Sequence, residues 1–564
     1  MDYFKLCDVY EKLEFTAKGL EKASILAKFL DEIKGEFKYI YLLQGRIFPD
    51  YDNRELGMSI QLVIKAIAKA SGFSESGVLN EFKERGDLGE VAYELVGKRK
   101  QQTSLFSSKL SVEKVFESLL KITTLEGKGT VGTKISLIVD LLHSAVGVET
   151  KYIVRTVLAD LKIGIGSGLI RDSIVEYCFH PDDMDKKREF ASKVQSAYNL
   201  ATDWAIVFER ACENRLDDIK LSPKKPVKVM LYPKVRSAEE ALKVVGSPAA
   251  FEYKYDGFRM MINKDEDGNV KLFTRRLEDV SIQFPEVVEY VKTHIKGKSF
   301  IVDSEAIGYD KKTKKYTEFQ AISQRIRRKY DIERLVDELP VELRVFDIIY
   351  YEGENMIEKT YEYRREFLSK LIIEEKLKIG LAERIVTDSI DEAHDFFNRA
   401  LADNQEGLMV KGLDKQYKPG ARVGYGVKWK PVDSDFDLVI TGAEWGNGKR
   451  AGWLTSFDIA CRNGNGELLE IGRVGSGVKE LEQEEGGDVS YSELTEMLKV
   501  LIISEEGKHV SVKPEIVVTI QFQNVQKSPS YSSGYALRFP RITCLRPDRN
   551  VEDITTVEEV EEEI

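Results

Sequence analysis

The eight residues EYKYDGFR, 252–259, include a lysine that could act as a nucleophile. Lys254 lies between two tyrosines and is followed by Asp256-Gly257 and then by Arg259. The alternating aromatics predict a short strand that ends at the Asp-Gly turn, so that Lys254 projects from the strand edge into a cleft. An amine attacks only when deprotonated, which desolvation or a cation such as Arg259 promotes, and Asp256 could orient it. The alternative is a surface hairpin with a solvated lysine.

Downstream of this stretch, charged and aromatic residues recur at or within predicted strands. They are Arg275 in FTRRLE, Glu305 in FIVDSEA, Phe346 in LRVFDI, Glu406 in EGLMVK, Arg422, and Lys428 in VKWK. Any one of them is explained by a charge on a solvated rim. The whole set is harder to explain in that way, because unpaired buried charge is costly. The pattern therefore predicts a site for a charged ligand.

Three segments of different character must position these residues. Residues 1–222 show apolar positions at helical spacing, for example in 8–15 and 60–67, with a helix start at Ser111. The stretch LSPKKP, 221–226, has the composition of a linker. Alternating patterns then predict an α+β domain to about residue 430, with strands at 227–231, 258–263, 300–307 and 343–351 among others. Short strands with glycine-rich turns predict a small β-barrel after it.

The charge balance restricts how this chain could bind a polyanion. Its 564 residues carry a net charge of −11, and the last fourteen hold seven acids and no Lys or Arg, so the rest carries −4. Local patches must therefore provide any nucleic-acid contact. Candidates are Lys162 with the glycines of KIGIGSG and the cluster Arg325, Arg327, Arg328 and Lys329. The glycine stretch could equally be a plain turn between helices.

The cysteines and the hydropathy indicate the compartment. Five cysteines at positions 7, 178, 212, 461 and 544 are far apart and form no C-x-x-C pair. This argues against a disulfide framework and a zinc ribbon, and it favours a reducing compartment. The start does not look like a signal peptide, and no apolar run reaches membrane length. We expect a cytoplasmic protein.

In this order the motifs resemble those of the nucleotidyltransferase superfamily of DNA ligases and RNA-capping enzymes. The matching stretches are K-x-D-G at 254–257, Glu305, Phe346-Asp347, Glu406-Gly407, 428–430, Arg538 and R-P-D-R at 546–549. Arg549 stands where the family usually has lysine. The helical first part and the TRRLE stretch are similar to archaeal ATP-dependent DNA ligases. The resemblance implies a helical DNA-binding domain at 1–222, an adenylation domain at 223–430 and an OB-fold domain at 431–564.

The resemblance also implies a three-step reaction on nicked double-stranded DNA. Lys254 would attack the α-phosphate of ATP, the AMP would move to the 5′-phosphate of the nick, and the 3′-hydroxyl would displace it. Such chemistry depends on positioning and charge neutralisation. By the family pattern, Glu252 contacts the base and Phe346 stacks on the adenine. Arg259 and Arg275 hold sugar and phosphate, and Arg422 and Lys428 face the phosphates. Glu305 and Glu406 hold Mg²⁺, and Glu305 could alternatively bind the ribose. The family works in replication, repair and recombination, and we expect a monomer.

Three other functions were weighed against the same residues. A capping guanylyltransferase shares the lysine motif but does not need about 220 helical residues before it. An NAD⁺-dependent ligase would carry a cysteine zinc site, and a DNA-binding scaffold would not need the lysine and its partners.

A partner motif is also suggested by QTSLF, 102–106, which follows the basic run 98–100. Gln102, Leu105 and Phe106 resemble a short form of the motif by which replication proteins bind the sliding clamp. In the alternative, Leu105 and Phe106 pack into their own domain.

Overall fold

The computed structural model describes residues 1–98, 109–125, 127, 129–317, 319–326, 328, 330–431, 434–446, 450, 452–480 and 489–563, without the side chains of 83 and 320. The chain divides into two compact units, Met1–Trp429 and Lys430–Ile564. No helix in these described ranges is both long and apolar enough to cross a membrane.

The first part of the larger unit is helical, as the apolar spacing predicted. Its α-helices are α1 Tyr3–Phe15, α2 Gly19–Glu32, α3 Ile60–Ser71, α4 Glu75–Arg85, α5 Leu88–Ala92, α6 Val112–Thr123, α7 Thr130–Ser144, α8 Val148–Val157, α9 Ser167–Phe179, α10 Met184–Ala201 and α11 Trp204–Cys212. Shorter helical turns lie at Phe37–Gln44, Tyr93–Gly97 and Leu216–Asp218. The predicted start at Ser111 is confirmed, because its side chain accepts a hydrogen bond from the Lys114 N–H (3.1 Å) and caps α6.

The second part of this unit contains two sheets. The strands are β1 Lys234–Val235, β2 Ala249–Tyr253, β3 Phe258–Lys264, β4 Val270–Thr274, β5 Phe300–Gly308, β6 Val341–Tyr351, β7 Glu354–Asn355, β8 Ile379–Leu381, β9 Arg384–Thr387, β10 Leu408–Gly412 and β11 Gly426–Trp429. One sheet has the order β1-β11-β10-β2-β9, and the other has the order β4-β3-β5-β6-β7 with β8 beside β6.

Among the described residues, six helices accompany these sheets: α12 Ala238–Val245, α13 Pro285–His294, α14 Phe319–Ile326, α15 Ile332–Glu338, α16 Tyr361–Leu371 and α17 Ile390–Ala402. Apolar faces of α12 and α17 pack on the first sheet, and those of α13 and α16 pack on the second. Because β2 belongs to one sheet and β3 to the other, the four residues that join them lie where the two sheets meet.

The predicted strand at 227–231 is wrong. This segment is extended and largely buried, but it forms no ladder, and its last residue, Leu231, makes only an isolated bridge to Arg422. The backbone N–H of Lys228 donates to the Asn199 carbonyl (2.9 Å), and that of Met230 donates to the Tyr417 hydroxyl (3.2 Å). The alternating apolar residues indicated an extended, buried backbone correctly, because burial and strand pairing give the same pattern.

The smaller unit is rich in strands, as predicted. It contains β12 Ser434–Trp445, β13 Leu454–Arg462, β14 Leu468–Val474, β15 Ile502–Glu506, β16 His509–Val512, β17 Val517–Phe522, β18 Val525–Lys527, β19 Tyr535–Leu537 and β20 Arg541–Leu545, with α18 Tyr491–Lys499 and α19 Val557–Glu562. A seven-stranded sheet runs β14-β13-β12-β16-β15, and β17 joins β12 to β20. Bulges in the β12–β13 and β13–β14 pairs bend this sheet toward a half-barrel.

Candidate active site

A cavity of about 810 Å³ lies where the two sheets of the larger unit meet. Small-molecule sites are typically roughly 300–1,000 Å³ in volume. Its charged lining residues are Lys254, Arg259, Arg275, Arg276, Lys411 and Lys428 together with Glu252, Glu278, Glu305 and Asp347. Cations outnumber carboxylates, and the uncharged part of the lining includes four tyrosines and three phenylalanines. Such a cavity suits a ligand that is both aromatic and strongly anionic.

Lys254 emerges directly after β2, at the junction of the sheets. Its N–H donates to the Gly407 carbonyl and its own carbonyl accepts from the Glu406 N–H, both at 2.9 Å, so the pairing of β2 with β10 continues past the strand ends. The Lys254 ammonium donates to Glu406 Oε2 at 2.5 Å, and its side chain is 20% exposed. The nucleophile candidate is therefore fixed by backbone bonds and held by a carboxylate at the cavity wall.

Asp256 and Gly257 shape this turn. The Asp256 carboxylate accepts the Phe319 N–H (3.4 Å) at the start of α14. A Cβ at Gly257 would lie 2.3 Å from the Ala306 carbonyl oxygen on β5. Glycine is needed here because the backbone of the turn passes so close to the neighbouring sheet.

Glu305, on β5, lines the same cavity as Lys254, and the two groups are close enough to interact electrostatically. Burial raises the pKa of Glu305 to about 8, and the nearby cations Lys254 and Arg259 act in the opposite direction. Glu406 adds to the upward shift by like-charge repulsion. Two carboxyl groups therefore lie beside Lys254, and one of them favours the neutral form at neutral pH while no cationic ligand is bound.

Glu252, on β2, is buried and held by its neighbours. The Tyr361 hydroxyl donates to Oε1 and the Lys411 ammonium donates to Oε2. Arg365 Nε lies 3.7 Å from Oε1. Lys411 also lies 4.9 Å from the centre of the Phe346 ring. Glu252 is thus a fixed acceptor beside an aromatic face.

Arg259 is held by Asp303 at the base of the cavity. Its Nε donates to Asp303 Oδ1 (2.8 Å), a second nitrogen donates to Asp303 Oδ2 and to the Tyr417 hydroxyl, and the third donates to the Met230 carbonyl (2.8 Å). Four of its five N–H groups are used in this way. The guanidinium lies 5.5 Å from the Phe346 ring centre. Its fork is therefore occupied by protein groups.

Comparisons with known proteins fit this geometry. Residues 229–430 match the family model "ATP dependent DNA ligase domain", residues 2–175 match "DNA ligase N terminus" and residues 450–549 match "ATP dependent DNA ligase C terminal region". The DNA ligase of Nanoarchaeum equitans is 43% identical over 100% of this chain and 98% of that protein. The chain belongs to the ATP-dependent DNA ligase family. The DNA ligase of Thermococcus fumicolans is 39% identical to this ligase over 100% of this chain and 98% of that one.

A solved structure supports the fold of this ligase. The structure named Pmar-Lig_PreS3 covers 96% of this chain and 99% of its own, with a TM-score of 0.54 at 16% identity. The predicted layout of helical, α+β and strand-rich parts is confirmed at the level of fold.

Most of the predicted site residues of the ligase come together at the cavity. Glu252, Lys254, Arg259, Arg275, Glu305, Phe346 and Lys428 all line it, and Glu406 contacts Lys254. Arg422 is exposed, forms an isolated β-bridge with Leu231 and is not among the residues that line the cavity. Arg275 is exposed in the turn after β4, at the cavity.

Sequence reasoning missed three residues that organise the site. Lys411 closes the EGLMVK motif, and its alternation with Met409 on β10 indicated that both point to one face. Asp303 stands two residues before Glu305, which on a strand also places both on one face. Tyr361 starts α16, far from the motifs along the chain, and no sequence signal identified it.

The C-terminal motif of the ligase is paired within the smaller unit. Arg546 and Arg549 both contact Asp437 Oδ2 on β12, at 2.7 and 3.0 Å, and Arg546 also binds Asp548 (2.7 Å). Arg538 is nearly buried and lies 5.3 Å from the Phe539 ring centre. Arginine at position 549 thus serves here as a second partner of Asp437.

Two of the basic residues proposed for DNA contact, Arg325 and Lys162, have carboxylate partners in the structure. Arg325 is fully buried, pairs with Glu286 (2.8 Å) and lies 4.2 Å from the Phe284 ring centre, so its expected role is wrong. Lys162 pairs with Asp87 (3.2 Å). Arg328 is exposed, and Arg327 and Lys329 lie outside the described residues. The predicted clamp motif Gln102, Leu105 and Phe106 also lies outside them.

Proposed function

We propose that this chain seals 5′-phosphate/3′-hydroxyl nicks in duplex DNA through AMP bound covalently to Lys254. The observation that carries the proposal is the Lys254 ammonium, 2.5 Å from the Glu406 carboxylate in a cation-rich cavity. Glu406 is placed to take one proton from the Lys254 ammonium, and the neutral amine then attacks the α-phosphorus of ATP and loses a second proton to solvent. The new P–N bond then replaces the P–O bond to pyrophosphate, which leaves as the anion.

The adenine would lie against Phe346. An aromatic face suits a base, and the neighbouring Lys411 keeps Glu252 in place beside it. The two carboxylate oxygens of Glu252 each accept one hydrogen bond from the protein, which leaves lone pairs for an exocyclic amine. This supports the predicted role of Glu252 in base recognition.

The phosphates would be held mainly by residues other than Arg259. With four donors used, Arg259 has one N–H left and cannot grip a phosphate with two. Arg275 and Arg276 are exposed at the cavity, and Lys428 lines it from β11. We assign triphosphate binding to these three and a supporting role to Arg259. Arg422 stays a candidate for the same anion from outside the lining.

The site fits Mg²⁺. In the described part of the chain no three His, Cys, Asp or Glu side chains form a metal-binding group. Mg²⁺ characteristically uses one or two carboxylates together with substrate phosphates, and Glu305 and Glu406 flank Lys254 in that number. Bound there, Mg²⁺ would offset the negative charge of the pyrophosphate. Glu305 and Glu406 would then hold the metal and keep the phosphates near the amine.

The three predicted domains are proposed to divide this work. Residues 1–222 would grip duplex DNA, 223–430 would carry out adenylation, and 431–564 would bring the C-terminal motif to the ATP. Deleting residues 538–564 is expected to impair self-adenylylation more than the sealing of a nick that already carries AMP. Equal loss in both steps would indicate unfolding or lost DNA binding.

The proposed activity is tested by nick sealing with ATP, with NAD⁺ and without nucleotide, side by side. A DNA substrate with one 5′-labelled nick should be sealed with ATP alone, and covalent labelling should occur with [α-³²P]ATP in preference to GTP. Sealing that depends on NAD⁺, or labelling by GTP without nick sealing, would contradict the proposal.

A sliding clamp is the proposed partner of Gln102, Leu105 and Phe106. Burying Leu105 and Phe106 in a pocket is worth roughly 3 to 6 kcal/mol before ordering costs, which suits a micromolar tether. The double variant Leu105→Ala/Phe106→Ala is expected to abolish stimulation by the clamp and leave intrinsic sealing unchanged. A drop of many degrees in its melting temperature would instead place the pair in the domain core.

We also propose that the ligase acts as a monomer in the cytoplasm. Size-exclusion chromatography with light scattering would test the oligomeric state.

A further inference from the structure

Two cysteines that are 34 positions apart in the sequence meet in the helical part of the larger unit. The Cys178 and Cys212 sulfur atoms are 3.5 Å apart, and both side chains are half-buried. Cys178 is the penultimate residue of α9 and Cys212 is the last residue of α11. The fold therefore brings into contact two free cysteines that are far apart in the sequence.

Their surroundings hold the two helix ends in place. The Tyr177 hydroxyl donates to Asp31 on α2 (2.7 Å), and the Tyr177 ring packs edge-on against Phe208 of α11 at 5.9 Å between centres. The hydrogen bond with Cys178 and the Lys34 cation lower the pKa of Cys212, against the effects of burial and of the Glu213 carboxylate. Because a thiolate is the attacking species in disulfide exchange, Cys212 is the thiol that we expect to react first.

The geometry points to Cys178 and Cys212 as a reversible disulfide pair that ties the end of α9 to the end of α11. The sulfurs must approach by about 1.5 Å to reach bonding distance, a change that side-chain rotation at two helix ends can provide. The oxidant is a low-molecular-weight disulfide such as oxidised glutathione. No group of the proposed adenylation site takes part in this chemistry.

The reaction balances by two exchanges. The Cys212 thiolate attacks one sulfur of the glutathione disulfide, forms a mixed disulfide and expels one glutathione thiolate. Cys178 loses its proton to solvent and attacks the Cys212 sulfur, which forms the Cys178–Cys212 bond and expels the second glutathione thiolate. Two protein thiols are oxidised and one glutathione disulfide is reduced to two glutathiones.

Two of the other three cysteines are poorly placed to compete. Cys7 and Cys461 are buried, and burial raises the pKa of both thiols, that of Cys461 to about 11. Cys544 is half-buried in the smaller unit. We therefore expect selective oxidation of one pair.

A disulfide at this place should stabilise the helical part. It would close a loop of about 35 residues in the unfolded chain and restrain two helix termini, where fraying begins. Oxidation is expected to raise the melting midpoint of this part by about 5 to 10 °C and to slow amide hydrogen exchange at both helix ends.

The test uses the full-length protein equilibrated with reduced or oxidised glutathione. Intact mass should fall by two hydrogen atoms on oxidation, and peptide mapping should recover a peptide that joins Cys178 to Cys212. The matched control is Cys544→Ser, which should behave as the wild type, whereas Cys212→Ser should lose the cross-linked peptide and the rise in melting midpoint.

Three results would overturn the inference. They are mixed glutathione adducts without the joined peptide, a joined peptide that involves Cys544, or an unchanged melting midpoint in a wild-type protein shown by mass to be oxidised. If Cys212→Ser folds poorly, the peptide map of the wild type still decides the matter. These readouts do not use ligase activity, so they stand apart from the proposed function.

Discussion

The ion pair between Asp303 and Arg259 should be one of the most sensitive points of the site. Asp303 is fully buried on β5, and Arg259 binds both of its carboxylate oxygens. Tyr417 donates a further hydrogen bond to Asp303 (3.1 Å). Asp303→Ala would remove the countercharge and leave a largely enclosed guanidinium beside Phe346.

The size of the effect follows from these contacts. Removing one partner of a buried pair typically costs about 3 to 5 kcal/mol, because the other charge stays desolvated. We therefore expect Asp303→Ala to lower the free energy of unfolding of the larger unit by about 4 kcal/mol, roughly a thousandfold in the unfolding constant. Asp303→Asn keeps the shape and one acceptor oxygen and should cost about half as much.

The assay is urea unfolding of each variant, combined with self-adenylylation at a temperature where the variant remains folded. A free Arg259 can turn into the cavity, so adenylylation should be slow even in folded Asp303→Ala. The exposed pair Lys311–Asp337 supplies the control, since Asp337→Ala should leave the unfolding midpoint unchanged.

A double variant separates charge pairing from simple loss of packing. Asp303→Leu/Arg259→Met removes both charges, and its loss of stability should be at least about 2 kcal/mol smaller than the sum of the losses in Asp303→Leu and in Arg259→Met. Stability of Asp303→Ala within about 1 kcal/mol of the wild type would refute the reasoning, as would strict additivity in the double variant.

Three further predictions concern other sites. Burial raises the pKa of Glu149 to about 7, above its value in the unfolded chain, so the folded state loses stability as the pH rises from the unfolded pKa to the folded one. In urea titrations Glu149→Gln should match the wild type at pH 4 and be about 1 to 3 kcal/mol more stable at pH 8. An equal difference at both pH values would be inconsistent with this. Phe346→Ala should raise the KM for ATP by roughly 5- to 150-fold through lost stacking, with Phe346→Tyr near the wild type, and unchanged KM in Phe346→Ala would remove adenine from this face. Affinity for nicked DNA should fall steeply with salt concentration despite the acidic net charge. In Arg328→Ala the slope of log affinity against log salt concentration should be smaller in magnitude by about one. A flat salt response would exclude contacts to the DNA backbone as the source of affinity.

Sequence patterns predicted the elements well where burial and periodicity agree. The strand predicted at 300–307 is Phe300–Gly308, and that at 258–263 is Phe258–Lys264. The segment 227–231 shows the limit, because an extended, buried chain bonded to side chains and loops has the same pattern as a strand. Which neighbour receives a backbone bond depends on tertiary packing.

The sequence predicted which residues form the site, but not which side chains they contact there. Lys254, Glu305 and Phe346 lie at the cavity as expected. Their spacing could not show that Asp303 occupies the fork of Arg259, since that contact joins β3 to β5 across the sheet. Nor could it show that Arg325 is a buried structural cation, because a basic residue beside others in the sequence looks like a surface patch until its helix is placed.

The most direct test of the central claim is covalent labelling at Lys254. Wild-type protein incubated with [α-³²P]ATP and Mg²⁺ should carry acid-labile AMP on the peptide that contains Lys254, and Lys254→Ala should carry none and should fail to seal an unadenylated nick. The same variant should show the circular dichroism spectrum of the folded wild type at the assay temperature, which separates lost chemistry from lost fold. AMP covalently attached to folded Lys254→Ala, or mapped to another residue of the wild type, would contradict the account.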